Sequence, residues 1–466
     1  MLFASFGFLF AFLPVVLLGW WLLPGRVPRL AFLTLASYVF YGWWDWRYLP
    51  LLWCVTLADF VAGRVIAHSH DPRGKKAALV AAAVVDLGLL AAFKYAGFFL
   101  DSLNGLGALL GLGRPFPGLD ILLPIGISFY TFSSLACTID IYRGRLQAPR
   151  DLLTYAAFVG MFPRLLAGPI ARYGELGPQL DELPSRPSWR MAGSGLWFLG
   201  CGIAKKLLVA DVLAPYVSTL FTHHAGLGLA ASWAAAIGYT MQLYFDFSGY
   251  SDMAVGVGLL MGLRLPQNFD SPYKAVSVAD FWRRWHMTLS FWLRDYLFIP
   301  LGGSRGDRWR TARNLLITMC LGGLWHGAGW TFVLWGAMWG VYLALHSLLR
   351  GTRLRLPGPA WGRTLTFLLA AAAWVPFRAP SIGAAGDVLG AMVGLNGLDS
   401  WASLKSLVGL RLALYLAATL VWVNALPNSW EVSLQPRPRY AVAVGLLLGA
   451  SILAIGHPLP FLYFQF

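Results

Sequence analysis

The sequence predicts an all-α, polytopic integral membrane protein. Composition is the first reason. Of 466 residues 58% are hydrophobic and only 12% charged, with 22 Trp and 30 Phe, which leaves no stretch able to close a soluble core of its own. The second reason is a succession of apolar segments of spanning length, and the third is an alternation of basic charge between the loops that join them. Residues 1–466 read as one integral membrane domain, with a working core in 120–350 and peripheral spans in 351–466.

The first segment, Leu2–Leu23, has neither a basic lead nor a small-residue cleavage site, so it is read as a retained span and not a signal peptide. Leu30–Trp44, Leu49–Ala67, Ala77–Leu100 and Ile121–Tyr142 follow as further spans. One set of loops carries Arg26 and Arg29, then Arg64, Arg73, Lys75 and Lys76, then Arg143, Arg145 and Arg150, whereas the other holds little beyond Arg47 and Arg114. Basic loops stay in the cytoplasm, which places the N-terminus outside. The net charge of +15 is the same bias at work, so it calls for no nucleic-acid partner. Tyr38–Trp44 supplies an interfacial aromatic belt, Lys94 snorkels from the end of its span, and Pro124 with Gly126 predicts a kinked helix beside a cavity. Cys54, Cys137, Cys201 and Cys320 lie scattered through apolar segments without metal spacing and are read as small buried hydrophobes.

Further along, polar groups enter apolar surroundings, and ionisable groups at that depth mark a working site by default. Phe162–Tyr173 holds Pro163, Arg164, Gly168, Pro169 and Arg172, which rules out a straight span and predicts a re-entrant or interfacial segment. Its arginines suit lipid headgroups or the phosphates of a nucleotide-bearing donor equally well. Lys205 and Lys206 mark the cytoplasmic end of a helix, with Asp211 placed to partner one of them; their reading is structural first and donor-binding second. Gln242, Asp246, Ser248, Tyr250, Ser251 and Asp252 form a polar face. No histidine or further carboxylate stands there at ligand spacing, so a metal site is rejected. These groups are expected to bond backbone freed by a break near Gly249 and to orient an imidazole.

Two histidines stand out. The apolar run Asn314–Leu349 has 36 residues. As one straight helix it would measure about 54 Å, far more than the ~20 residues a bilayer needs. It must bend, and Gly322-Gly323 and Gly327-Ala328-Gly329 around His326 are the place. The basic flanks Arg305–Arg313 and Arg350–Arg355 put both ends on one side, so His326 rides a broken or re-entrant hairpin. His286 lies on a predicted amphipathic helix whose stripe is Phe281, Trp282, Trp285, Leu289, Trp292, Leu293 and Tyr296. Arg283 and Arg294 face the other way, and His286 sits at the stripe's edge, open between a site role and a structural one. Beyond Arg363, Ala370–Phe377, Leu404–Leu426 and Ala441–Ile455 are further spans, and Phe461–Phe466 shows no evident chemistry of its own.

The blocks Asn268-Phe269-Asp270-Ser271-Pro272-Tyr273, Phe281-Trp282-Arg283-Arg284-Trp285-His286, Tyr296 to Gly303 and Leu324-Trp325-His326-Gly327-Ala328-Gly329-Trp330 stand in order and register. With them the stretch Gln242–Trp335 resembles the membrane-bound O-acyltransferase (MBOAT) family, above all the bacterial alginate-type polysaccharide O-acetyltransferases. Peptidoglycan O-acetyltransferases and teichoic acid D-alanyl transfer proteins share much of the pattern. The resemblance implies an MBOAT-like bundle of about eleven spans with re-entrant or interfacial helices around a central tunnel, in a bacterial inner membrane, with His326 as the catalytic residue and His286 as the second family histidine. Trp325, Asp246, Ser248, Tyr250, Asn268, Arg283, Arg164, Lys205 and Lys206 are then the residues nominated for substrate contact. Acetyl-CoA would be the donor substrate, arriving from the cytoplasm, with no resident cofactor.

Acyl transfer needs a base and donors for the developing oxyanion. A neutral imidazole with its ordinary pKa of ~6.5 suits the first, and amides of the glycines beside His326 suit the second. Acetyl would pass to an extracytoplasmic hydroxyl for O-acetylation of an exopolysaccharide such as alginate. Because no extracytoplasmic domain is evident to grip a polymer, a periplasmic or surface SGNH-type acyltransferase is the implied partner. Peptidoglycan O-acetylation and D-alanyl transfer to teichoic acid stay open on the same fold, and a non-enzymatic transporter remains the reading of another class. The missing 20–50-residue repeat counts against an inverted-repeat transporter.

Overall fold

The computed structural model describes residues 1–119, 121–349, 358–432, 438–456 and 459–465, and every regular element among them is helical. The basic flank Arg350–Arg355 and the terminal Phe466 lie outside the described residues. The α-helices are α1 Leu13–Leu22, α2 Arg26–Asp45, α3 Leu49–His68, α4 Pro72–Leu90, α5 Ala96–Leu109, α6 Ile127–Tyr142, α7 Leu152–Gly160, α8 Phe162–Leu165, α9 Tyr173–Asp181 and α10 Trp189–Ala204. After them come α11 Asp211–Thr222, α12 Leu229–Leu260, α13 Val278–Arg284, α14 Met287–Leu293, α15 Arg308–His326, α16 Trp330–Leu349, α17 Pro359–Arg378, α18 Ile382–Met392, α19 Trp401–Leu407, α20 Gly409–Ala425 and α21 Pro438–Leu453.

Among the described residues, three helical stretches, Arg26–His68, Pro72–Leu109 and Trp330–Leu349, are long and apolar enough to cross a bilayer. The pair α19 and α20, bent by 71°, would make a fourth. Any other crossings of the expected eleven belong to shorter or more polar helices. The chain divides into two compact units, one of Met1–Leu196 with Ala254–Pro266 and one of Trp197–Met253 with Gln267–Phe466, so the expected core 120–350 draws on both.

In the first unit, Arg26 at the start of α2 pairs with Asp151 at 3.2 Å and Asp181 at 3.0 Å, and Trp20 Nε1 donates to the Met261 carbonyl at 2.8 Å. The kink expected around Pro124 and Gly126 is the start of α6. Gly126 adopts φ +78°, and a Cβ there would lie 2.6 Å from the Leu165 carbonyl oxygen, so glycine alone fits.

In the second unit, the long α12 runs unbroken through Gly249, where a break was expected. The glycine serves close approach instead. A Cβ at Gly249 would meet the Gly202 carbonyl of α10 at 2.8 Å, and one at Gly202 would meet the Gly249 carbonyl at 2.5 Å. The hairpin of α15 and α16 is built the same way, since a Cβ at Gly336 would lie 2.3 Å from the Met319 carbonyl oxygen. Gly336→Leu is therefore expected to cost at least the ~1–3 kcal/mol of ordinary overpacking, read as a lowered melting midpoint of the purified protein. A midpoint equal to wild type would show that the hairpin packs differently.

Candidate active site

The bend expected in Asn314–Leu349 is where the structure ends one helix and starts the next. Asp307 caps α15 by accepting from Arg310 N–H at 2.8 Å, and His326 is the helix's last residue. Gly327 follows in an extended conformation and α16 resumes at Trp330. His326 is 4% exposed. Rings of Trp335, Trp325, Phe377 and Tyr463 surround its imidazole at centroid distances of 4.8, 4.9, 5.2 and 5.4 Å. The Tyr463 hydroxyl is hydrogen-bonded to His326 Nδ1. Sequence reading saw no chemistry in Phe461–Phe466 and so missed Tyr463.

The seat of Tyr463 explains the buried charges. Lys205–Ala210 forms a π-turn between α10 and α11, which sends two consecutive lysines inward. Lys206 pairs with Asp246 and Asp211, both at 2.8 Å, and Lys205 pairs with Asp252 at 2.6 Å. The second oxygen of Asp246 accepts the Leu462 N–H at 2.8 Å, and Lys206 reaches the Pro460 carbonyl at 3.5 Å. Phe461 then packs on Phe247 and Tyr250, with centroids 5.6 and 4.9 Å away. Asp246 thus holds the segment that brings Tyr463 to His326, where sequence reading had it orienting an imidazole directly.

His286 departs most from its expected setting. The predicted single helix over 281–296 is interrupted there: α13 stops at Arg284, α14 starts at Met287, and His286 takes the left-handed conformation at φ 43°. Asn268 holds the interruption. Its backbone carbonyl accepts from Met287 N–H at 2.9 Å, and its side-chain Oδ1 accepts from Thr288 N–H at 3.3 Å and Thr288 Oγ1 at 2.9 Å. The same oxygen lies 3.1 Å from His286 Nδ1. Neither seven-residue helix is long enough to span, and within their fold burial pushes the His286 imidazole down to about 3. The rings of His286 and His326 are 6.4 Å apart.

Of the other nominated residues, Trp325 lies beside both histidines, its centroid 6.2 Å from that of His286. Ser248 is buried, and its hydroxyl has no hydrogen-bond partner among the described residues. Arg283 and Arg294 line a cavity of about 660 Å³ together with Thr311, Met319 and His346. Arg164 belongs to the first unit, where it is buried and donates to Ser133 Oγ at 2.9 Å and to the Phe158 carbonyl. A second cavity in the second unit, of about 510 Å³, is lined by Lys206, Ser218, Gln242, Asp246, Arg378 and Leu462. Trp335 stacks on Trp374 and Phe332 meets Phe377, so the start of α16 packs on the end of α17, antiparallel. His346, near the end of α16, and Arg378, at the end of α17, therefore lie toward opposite ends of that helix pair. His326 lies at the level of Trp335 and Phe377, and neither cavity includes it in its lining.

Fold and site together define a polytopic helical membrane protein with a buried imidazole at the turn of a broken hairpin. A model of the membrane-bound O-acyltransferase family matches residues 38–382. The chain is 40% identical to a protein of Azotobacter vinelandii described as a probable alginate O-acetylase, over 100% of both chains. It is 44% identical to a probable alginate O-acetylase of Pseudomonas aeruginosa over 90% of this chain and 80% of the relative, and 38% identical to a peptidoglycan O-acetyltransferase of Helicobacter pylori over 84% and 80%. The chain belongs to the membrane-bound O-acyltransferase family, and it is an O-acyltransferase.

Proposed function

We propose that this protein moves acetyl from cytoplasmic acetyl-CoA through the membrane to an extracytoplasmic acceptor, for O-acetylation of an exopolysaccharide of the alginate kind. The observation that carries the mechanism is the bond between His326 Nδ1 and the Tyr463 hydroxyl. Acetyl-CoA enters from the cavity that Arg283, Arg294 and His346 line, where the two guanidiniums suit phosphate groups. His326 Nδ1 takes the phenolic proton as the Tyr463 oxygen attacks the thioester carbonyl. The C–S bond breaks, an acetyl ester forms on Tyr463, and the imidazolium returns the proton to the CoA thiolate. A hydroxyl arriving from the Arg378 end then takes the acetyl from Tyr463 and restores the phenol, so CoA never crosses. That hydroxyl belongs to a periplasmic or surface SGNH-type acyltransferase, which hands acetyl on to the polymer. The bias of basic loops, read as an N-terminus in the periplasm of a bacterial inner membrane, supports this direction.

Tyr463→Phe removes the hydroxyl and keeps the ring. It is expected to stop acetyl reaching the acceptor, while wild type given labelled acetyl-CoA shows one added acetyl group on the C-terminal peptide by mass spectrometry. Transfer at wild-type rate by the Phe variant would end the relay, and the absence of thioester cleavage by wild type would end the enzyme assignment to this donor. The 38% identity to a peptidoglycan O-acetyltransferase supports a second acceptor on the same donor chemistry. Assay with both polymers and the cognate partner separates the two.

A further inference from the structure

The amide of Asn268 decides which nitrogen of His286 carries the proton. Its Oδ1 is met by the backbone N–H of Thr288 at 3.3 Å, and a backbone N–H only donates, so that atom is the carbonyl oxygen and not a flipped amide nitrogen. A carbonyl oxygen only accepts. The His286 Nδ1 that lies 3.1 Å from it must therefore be the N–H, and the neutral ring keeps its lone pair on Nε2. The other end of the amide is fixed as well, since Nδ2 donates to Ser251 Oγ at 3.3 Å. With the Asn268 carbonyl accepting from Met287 N–H, one residue grips positions 286, 287 and 288 and holds His286 in a backbone conformation that non-glycine residues adopt only at a cost.

We propose that Asn268 is a positioning residue for acyl transfer: it locks His286 in the Nδ1–H tautomer, so that His286 offers a hydrogen-bond acceptor at Nε2 and His326 alone moves the proton. This rests on the acyl-transfer reading of the site. The rings packed on His286 agree with the division of labour. Phe247 of α12 lies 4.7 Å away edge-on and Phe269 6.5 Å away, and Trp325 and His326 of α15 lie at 6.2 and 6.4 Å. His326 is the titratable one among these rings. Two imidazoles in one dry pocket do not both gain by charging, because the second cation would meet the first without water between them. A fixed neutral acceptor beside the base is suited to an N–H or O–H of the arriving substrate.

The full chain in lipid nanodiscs, with ¹⁵N-labelled histidine, reads the tautomer directly. The expected spectrum has His286 protonated at Nδ1 and not at Nε2 throughout the pH range in which the protein transfers acetyl. Asn268→Asp keeps an acceptor at the same place but adds a charge that favours the imidazolium. In that variant the ¹⁵N spectrum should show His286 taking its second proton at a pH at least one unit higher than in wild type, a tenfold change in proton affinity. Asn268→Ala should lose the single tautomer and transfer acetyl at least tenfold more slowly. A proton on Nε2 in the wild-type spectrum would overturn the proposal, as would an Asp variant whose His286 takes its second proton at no higher pH than in wild type. The tautomer is read without turnover, so a protein with the expected spectrum and no thioester cleavage would sink the acyl-transfer reading and leave the Asn268 assignment standing.

Discussion

His326→Ala is expected to lower acetyl transfer by about 10²–10⁴-fold, the usual worth of a positioned general base. His326→Gln should fare no better, because an amide fills the space but cannot take and return a proton at neutral pH. The folded state should survive both. His326 ends its helix, so its side chain is not needed to continue one; its neighbours Trp335 and Phe377 also pack on each other and on Trp374, and Trp325 also packs on His286 and Tyr463. Truncation to Ala leaves a void among these rings, for which a cost of about 1–3 kcal/mol is expected. The check is a paired measurement on purified protein, release of CoA from labelled acetyl-CoA and the melting midpoint. An Ala variant that melts near wild type and transfers no acetyl supports the assignment. One that still transfers acetyl defeats it.

How much of this was legible beforehand differs by kind of contact. The break at His326 could be read because 36 apolar residues cannot fit one bilayer and glycine clusters beside the histidine. The fold class followed from composition for a similar reason, since so few charges leave lipid as the only solvent. Gly249 misled because a glycine between polar residues has two uses, conformational freedom and close approach, and only the partner helix tells them apart. The single helix over 281–296 failed for want of a distant residue. Its apolar stripe is compatible with a continuous helix, but Asn268, ten positions before α13, takes up the N–H groups of Met287 and Thr288 and stops it. Tyr463 was the least legible of all. It lies 137 positions from His326 in a short aromatic tail, and no periodicity or spacing links residues so far apart.

Lys205→Met is expected to destabilise the protein by about 3–5 kcal/mol, the cost of leaving one charge of a buried pair unanswered. Its partner Asp252 is 4% exposed and would keep only the Ser429 hydroxyl, which donates to it at 2.7 Å. Asp252→Leu alone should do similar harm by stranding the ammonium. Together, Lys205→Met with Asp252→Leu should recover most of the loss, because a well-packed apolar pair replaces a desolvated ionic one at little net cost. That non-additivity separates the two roles assigned to Lys205 from its sequence. A lysine that held donor phosphates would lose activity as much in the double variant as in the single, with stability little affected. One that pins α10 to α12 regains activity when stability returns. Lys206 makes the contrasting case, since its partner Asp246 also anchors Leu462. Lys206→Met with Asp246→Leu should recover less stability, because Asp211 still loses its ammonium, and should not recover acetyl transfer, because the tail that presents Tyr463 has lost the carboxylate holding it.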